Sequence, residues 1–383
     1  MTTRGHDMQQ EGYWQRIGRR FNNNAYGRIA LRVIVSLFIL AALAPFLANS
    51  HALVRFNTGG APEFPIFRSL EPIEWRFLVY VPLAGLVWYL GNRLPKGSWL
   101  PAILVVIVLA LTELGLALTH PFNDPGDDRN YTGFCIMPPI PYSPIESSPD
   151  QFAPPSWHHW CGTDLTGRDI AARMIHGART SLSIGFVAQS IALLVGVTIG
   201  GLAGFYRGWL DIAICRFIEI LDCFPPLLLI LVFISLTDSA NNMFVIMAVI
   251  GLTSWTGLAR LVRGEFLRLV GQPFPQAAKA LGAGDAHIIL RHLLPNALGP
   301  ILVSATFGVA AAILIESSLS FLGFGMQAPT PSWGDILNEA RSYIDFAWWL
   351  AFFPGLAILI TIMSYNFVGE ALRDAVDPRL KLK

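Results

Sequence analysis

The sequence predicts an all-α, polytopic helical membrane protein with about eight spans. Three observations carry this: an apolar composition, a series of apolar runs long enough to cross a bilayer, and an uneven placement of arginine and lysine between them. Of 383 residues, 53% are hydrophobic and 14% charged, where soluble domains carry about 25% charged residues. The mean hydropathy is +0.50, so much of the surface needs lipid around it. The formal net charge of +1 leaves no electrostatic footprint for nucleic acid. The polar stretch from Met1 to Asn24 opens no short apolar run with a small-residue cleavage site, so no removable signal peptide is expected.

A crossing helix satisfies its own backbone and needs about 20 mostly apolar residues. Such runs lie at 33–49, 77–91, 99–119, 182–205, 212–236, 243–261, 301–321 and 348–368, of which 77–91 is the shortest. With the N-terminus inside and eight alternating spans, 18 of the 27 basic residues fall on the cytoplasmic side. That bias follows the positive-inside rule. It places both termini, segments 1–32 and 372–383, in the cytoplasm. Arg93 and Lys96 in the turn at 92–98 make 77–119 a transmembrane hairpin.

The segment 120–181 is of a different character. Up to Pro155 it is rich in Pro, Ser, Asp and Asn, a composition that blocks helices and strand ladders and reads as an irregular outer loop. His158, His159 and Cys161 follow, between and beside Trp157 and Trp160. Adjacent histidines point in different directions and no third ligand is fixed by spacing, so an amphipathic segment at the membrane interface is favoured over a metal site. No metal site is expected anywhere. Cys135 and Cys161, both in this loop, are the disulfide candidate; Cys215 and Cys223 sit in a span and read as packing residues.

Between the sixth and seventh runs lies a long cytoplasmic loop, 262–298, and a long loop is a functional hint in itself. Pro273 and Pro275 suit the start of a short helix through Gln276–Ala280, and Gly282 or Gly284 can supply the left-handed turn that ends it. A second short helix is expected at 286–294, stopped by Pro295. The pair would present an Ala-lined face suited to a cleft in a partner.

At this loop the chain resembles the permeases of binding-protein-dependent ABC importers, whose pattern is Glu-Ala-Ala, three residues, Gly, nine residues, Ile, one residue, Leu, Pro. Ala277, Ala278, Gly282, Leu294 and Pro295 match with the spacing intact. Gln276 stands in place of Glu, which removes a charge, and His292 in place of Ile, as is common in the peptide branch. Three further blocks resemble that branch: 162–169 (GTDLTGRD) with 177–182 (GARTSL), 316–325 (ESSLSFLGFG) with 329–334 (PTPSWG), and 369–379 (GEALRDAVDPR). They cover about 161–379 and fit the second permease of oligopeptide, dipeptide, microcin or nickel importers.

The resemblance implies a type I ABC importer permease fold with a transport core at 182–371, in a bacterial inner membrane. It implies a second permease, two cytoplasmic ATPases and an extracytoplasmic substrate-binding protein as partners, and peptides or peptide-like solutes as cargo, with nickel or another small solute as the alternative. The ATPase-coupling residues would be Gln276, Ala277, Ala278, Gly282, His292, Leu294 and Pro295. The chain lacks a phosphate-cradling loop ending in Gly-Lys-Ser/Thr, so it is expected to bind no cofactor itself and to rely on ATP used by its partners. No HExxH or other catalytic grouping lies in the spans, and no enzyme is expected. Among acids in or near spans, Glu113, Glu219, Asp222 and Glu316, the pathway candidates are Asp222 and Glu316. A salt bridge from Asp222 to Arg216, and a structural contact of Glu316 beside Ser317 and Ser318, are favoured over that role.

Overall fold

The computed structural model describes residues 13–56, 63–66, 134–236, 242–326 and 329–377, together with 79, 83 and 86. The hairpin expected at 77–119, its turn at 92–98 and Glu113 lie outside the described residues apart from those three positions. The chain divides into two compact units, 37–179 and 1–36 with 180–383.

The helix α1 (Tyr13–Asn23) is followed by α2 (Ala25–Ala42), whose last residues enter the unit 37–179 and lead into the short α3 (Ala44–Leu47). Beyond α3 a two-stranded antiparallel sheet forms from β1 (Val54–Phe56) and β2 (Phe134–Ile136), with Arg55 opposite Cys135. This corrects the expectation of a wholly irregular segment up to Pro155. The prolines cluster from Pro138 onward, so the β-forming Phe134, Cys135 and Ile136 pair before them. The Phe56 and Phe134 rings meet across the ladder at 5.6 Å. Ile140 then donates its N–H to Leu47 O at 3.0 Å.

The helix α4 (Ile170–Tyr206) has 37 residues and starts well before the expected boundary at 182. Asp169 explains the early start, because its Oδ1 accepts the Ala172 N–H at 2.8 Å, the geometry of an N-cap.

In the other unit, α5 (Gly208–Asp222) and α6 (Pro226–Leu236) meet at 83°, and α7 (Met243–Thr253) and α8 (Thr256–Val270) at 43°. The expected straight spans 212–236 and 243–261 are therefore both broken. At the first break Pro225 and Pro226 have no N–H to donate, and Phe224, preceding a proline, is pushed out of the helical region. At the second, the Thr253 hydroxyl donates back to Val249 O at 2.8 Å, a bond that competes with the backbone ladder. After α9 (Pro273–Ala280) and α10 (Asp285–Ile288), a π-turn at Ile289–Leu293 leads into α11 (Leu294–Phe321), then α12 (Trp333–Tyr343) and α13 (Trp349–Val376).

Among the described residues, four helices are long and apolar enough to cross a membrane: α2, α4, the continuous run Asp285–Phe321 and α13. The two bent pairs bring the total to as many as six. In the core α11 lies along α13, with α12 against both and α1 against α13. Arg20 ties α1 down by donating to Ala375 O and Asp377 O, each at 3.3 Å.

The close approach of α4 to α8 depends on Gly196, Gly200 and Gly204, spaced one turn apart on one face. A Cβ at Gly200 would lie 2.3 Å from Ala259 O, and one at Gly204 2.7 Å from Arg263 O. Without a hydrophobic force between helices in lipid, such small-residue seams supply the van der Waals contact that joins them.

Candidate functional site

The region between α8 and α11 is built from its caps outward. Pro273 occupies the first turn of α9, where its missing N–H costs nothing, and Gln272 before it is extended. At the other end Gly282 adopts φ +84°. Its N–H donates to Lys279 O and that of Ala283 to Ala278 O, both at 3.0 Å, a Schellman closure. The sequence left Gly282 and Gly284 as alternatives for this turn. Gly284 has φ −70° and precedes α10 instead.

Pro295 does not stop the second helix. It falls in the first turn of α11, and the chain stays helical from Asp285 to Phe321. The π-turn at 289–293 provides the wider spacing that takes up a proline ring where an α-turn would clash.

Underneath, Phe266 and Leu269 of α8, Ile288, and Leu293 with Ala297 and Ile301 form one buried cluster, on which Ala278 and Ala283 rest half-buried. The outer surface mixes apolar side chains with the exposed Lys279, Asp285 and Arg291. Ala277 and Ala280 are exposed, Leu281 is 88% exposed and Leu290 64%. Gln276 is exposed, its Nε2 at 3.5 Å from Gly271 O. His292 is half-buried with its ring 6.5 Å from Phe274 and 5.6 Å from His287. Leu294 and Pro295 are half-buried at the root of α11. This is a protrusion fixed by its inner face to two long helices, with leucine and alanine offered on its outer face.

The acids expected in spans have partners within the chain. Arg216 pairs with Glu219 at 2.5 Å, and Asp222 pairs with Arg260 of α8, so the pairing of Asp222 with Arg216 is corrected. Arg216 and Glu219, three apart, share a helix face; Asp222 faces α8. Asp211, passed over in the sequence, accepts from two guanidinium nitrogens of Arg263, Nε and, at 2.8 Å, Nη2. Glu316 is fully buried. It accepts from Ser320 at 2.9 Å and Ser317 at 3.4 Å, and from Ser181 and Ser332.

The block 162–169 folds around a carboxylate that the sequence reading did not single out. Asp164 is wholly buried. Its Oδ2 accepts Arg168 Nε and Arg173 Nη1, each at 2.6 Å. Its Oδ1 accepts the Thr166 hydroxyl at 2.8 Å and the Arg168 N–H at 3.0 Å. Burial opposes ionisation, but the Arg173 and Arg168 guanidiniums outweigh it and hold the carboxyl below the usual carboxylate range. Two aspartates and Arg168 within this glycine-containing block, with Arg173 four residues beyond it, were the available signal.

His159 is buried within the protein, its Nδ1 at 2.8 Å from Asp169 and its ring 4.6 Å from that of Tyr142. Trp157 is 95% exposed, and His158 is exposed too. No cluster of three His, Cys, Asp or Glu suited to a metal occurs among the described residues. Cys135 and Cys161 are free thiols, so the disulfide candidate is not formed in this structure. Cys135 belongs to the β ladder, whereas Cys161 packs on Ala48, Ile140, Ala171 and Ala172. Burial, reinforced by the Asp169 charge, pushes the Cys161 thiol up to about 11.

Long apolar helices joined to an exposed pair of short helices are the geometry of a membrane component, four to six of them able to cross a bilayer among the described residues. The family described as "Binding-protein-dependent transport system inner membrane component" matches residues 196–382. The chain is 42% identical over 228 residues to the dipeptide transport system permease protein DppC of Alkalihalophilus pseudofirmus, covering 59% of this chain and 74% of that protein. It is 40% identical over 227 residues to the glutathione transport system permease protein GsiD of Pectobacterium atrosepticum, covering 59% and 75%. With the oligopeptide transport system permease protein OppC of Haemophilus influenzae the identity is 39% over 222 residues, covering 58% and 71%. The chain belongs to this family. It is a multi-pass inner-membrane permease subunit of an ABC importer, and not an enzyme. A binding-protein-dependent system of this kind works with ATPases and a substrate-binding protein.

Proposed function

We propose that this chain forms half of a translocation pathway for peptides or peptide-like solutes and couples it to two cytoplasmic ATPases through α9 and α10. A second permease would supply the other half and an extracytoplasmic binding protein the cargo. The single observation that carries the coupling role is Leu281, 88% exposed at the tip of a Schellman-capped helix whose inner side is buried against α8 and α11. Burying such a leucine in a partner's cleft contributes about 1.5–3 kcal/mol. In this reading residues 262–298 and both termini face the cytoplasm. ATP is bound by the partners and none by this chain.

Closure of the ATPases on ATP would push α9, and the shared apolar cluster would carry the push into α8 and α11 as one body. Packed interfaces of that kind move between discrete arrangements rather than deforming continuously. Peptide cargo is supported by the relatives, named for dipeptide, glutathione and oligopeptide transport.

The test is uptake of radiolabelled dialanine, glutathione and Ni²⁺ by cells lacking this chain and by cells in which it is restored. Restored uptake of either peptide, without Ni²⁺, is the expected result. Restoration of Ni²⁺ uptake alone would replace the peptide reading with the metal-importing one.

A further inference from the structure

The two ion pairs between α5 and α8 lie outside the apolar cluster beneath α9 and α10, and their position is specific. Arg260 and Arg263 stand about one turn apart on α8, the helix whose end at Val270 leads within two residues into α9. Their partners Asp222 and Asp211 lie near opposite ends of α5. Directly beyond Asp222 the chain turns by 83° into α6. Beside the ion pairs the contact is apolar, with Ile218 of α5 packed with Trp255 just before α8, Ala259 of α8 and Ala192 of α4.

Resting on the coupling role given above, we infer that Asp211 and Asp222 are positioning residues that transmit movement of α8 to the bend between α5 and α6. An apolar contact of Ile218 with Trp255 resists separation but lets helices slide. The forked contact of Arg263 with both oxygens of Asp211 has direction and resists sliding. If the seam were a fixed brace, apolar side chains would serve as well or better than charges. Partly exposed ion pairs, in contrast, part and re-form at small cost. Arg260 is 57% exposed at the Asp222 pair and Arg263 33% at the Asp211 pair, so neither pair is sealed inside the packing of this chain. The rigid double proline at Pro225 and Pro226 then converts a shift of α5 into a swing of α6, because the bend itself cannot relax into a straight helix.

The test uses the whole transporter, with its ATPases, second permease and binding protein, in proteoliposomes supplied with ATP and radiolabelled dialanine. The quantity read is solute taken up per ATP hydrolysed, alongside recovery of the intact complex. For Asp222→Asn and Asp211→Asn the ratio is expected to fall about fivefold or more, the size of a coupling of about 1 kcal/mol, with complex recovery unchanged. The exchange Asp222→Arg with Arg260→Asp is expected to regain most of the ratio. An unchanged ratio in both Asn variants overturns the proposal. So does a loss of complex in step with uptake at a constant ratio, which would make the pairs braces only. The parental complex separates this from the wider reading: a parent without ATP-driven uptake contradicts the transport assignment, and this inference with it.

Discussion

Ser320 donates a hydrogen bond to Glu316 at 2.9 Å, one turn back along α11, and three more serines converge on the same carboxylate. Ser332 among them also caps α12 by accepting the Asp335 N–H at 3.1 Å, so the carboxylate joins α11, α12 and the Ser181 turn of α4. The glycines nearby are there for space. A Cβ on Gly334 would lie 2.6 Å from Ser320 Cβ, and one on Gly325 1.8 Å from Ser320 Oγ. Glu316→Ala removes the shared acceptor and leaves a void, at about 2–5 kcal/mol. Glu316→Gln keeps one acceptor oxygen, and the serine hydroxyls can rotate to meet its amide. Thermal unfolding in detergent should therefore show a large loss for Ala and a clearly smaller one for Gln. Equal losses would mean that the hydrogen bonds are not what the site depends on.

The glycine seam makes a sharper test of packing. Gly200→Ala drives a methyl into the backbone of Ala259, and the helices must separate to admit it, at about 1–3 kcal/mol. Gly264→Ala on α8 meets nothing within 4 Å and gains helix propensity of about 1 kcal/mol. Tm should fall in the first variant and hold or rise in the second. A Gly200→Ala protein as stable as its parent would show that α4 and α8 are not in this contact.

How far the sequence reached depends on which physical signal each feature carried. Apolar runs marked the positions of α2, α4, α11 and α13, because lipid rewards hydrophobicity wherever it lies. They did not reveal that α5 and α6 are separate helices, since a window of mean hydropathy is blind to a bend at Pro225. The turn after the Gln276–Ala280 helix was legible only as far as Gly282 or Gly284, because φ > 0 favours glycine but the sequence offers two. Pro295 misled because its usual role as a helix stop was overridden by a π-turn that no single residue announces. The pairings of Asp211 and Asp222 were out of reach, because the residues they meet lie about 40–50 positions away and only the tertiary crossing of α5 with α8 brings them together.

Asp164 gives a prediction in pH. Its folded-state pKa lies below the unfolded value, about 3.9, so its ionised form adds stability above roughly pH 4. That stability is lost as pH falls through the folded value. Asp164→Asn removes the carboxylate charge that Arg168 and Arg173 share, which costs about 3–5 kcal/mol at neutral pH. Tm measured against pH should show parent and variant far apart at pH 7 and converging below pH 4. Curves that stay parallel to the lowest pH would contradict the ion-pair account of the 162–169 turn.

At Gly282 the backbone conformation, and not crowding, is what a side chain would disturb. Its φ is +84° and a Cβ there meets nothing within 4 Å. A β-branched residue would strain the turn by about 1–2 kcal/mol or more, whereas Asn tolerates the left-handed region. Gly282→Asn should retain most uptake; Gly282→Val should insert normally yet recover fewer ATPases on co-purification. Equal ATPase recovery from the two variants would detach the turn from partner docking.

The claim that α9 and its tip dock on the ATPases is tested most directly by cross-linking from Leu281. A Leu281→Cys protein, expressed with its partner subunits in membranes and treated with a short bifunctional thiol reagent, carries its new thiol where the side chain is 88% exposed. The account predicts one dominant product containing an ATPase subunit, with its yield changed by ATP. A thiol that reacts freely with small reagents, yet gives no ATPase product with or without ATP, would contradict it.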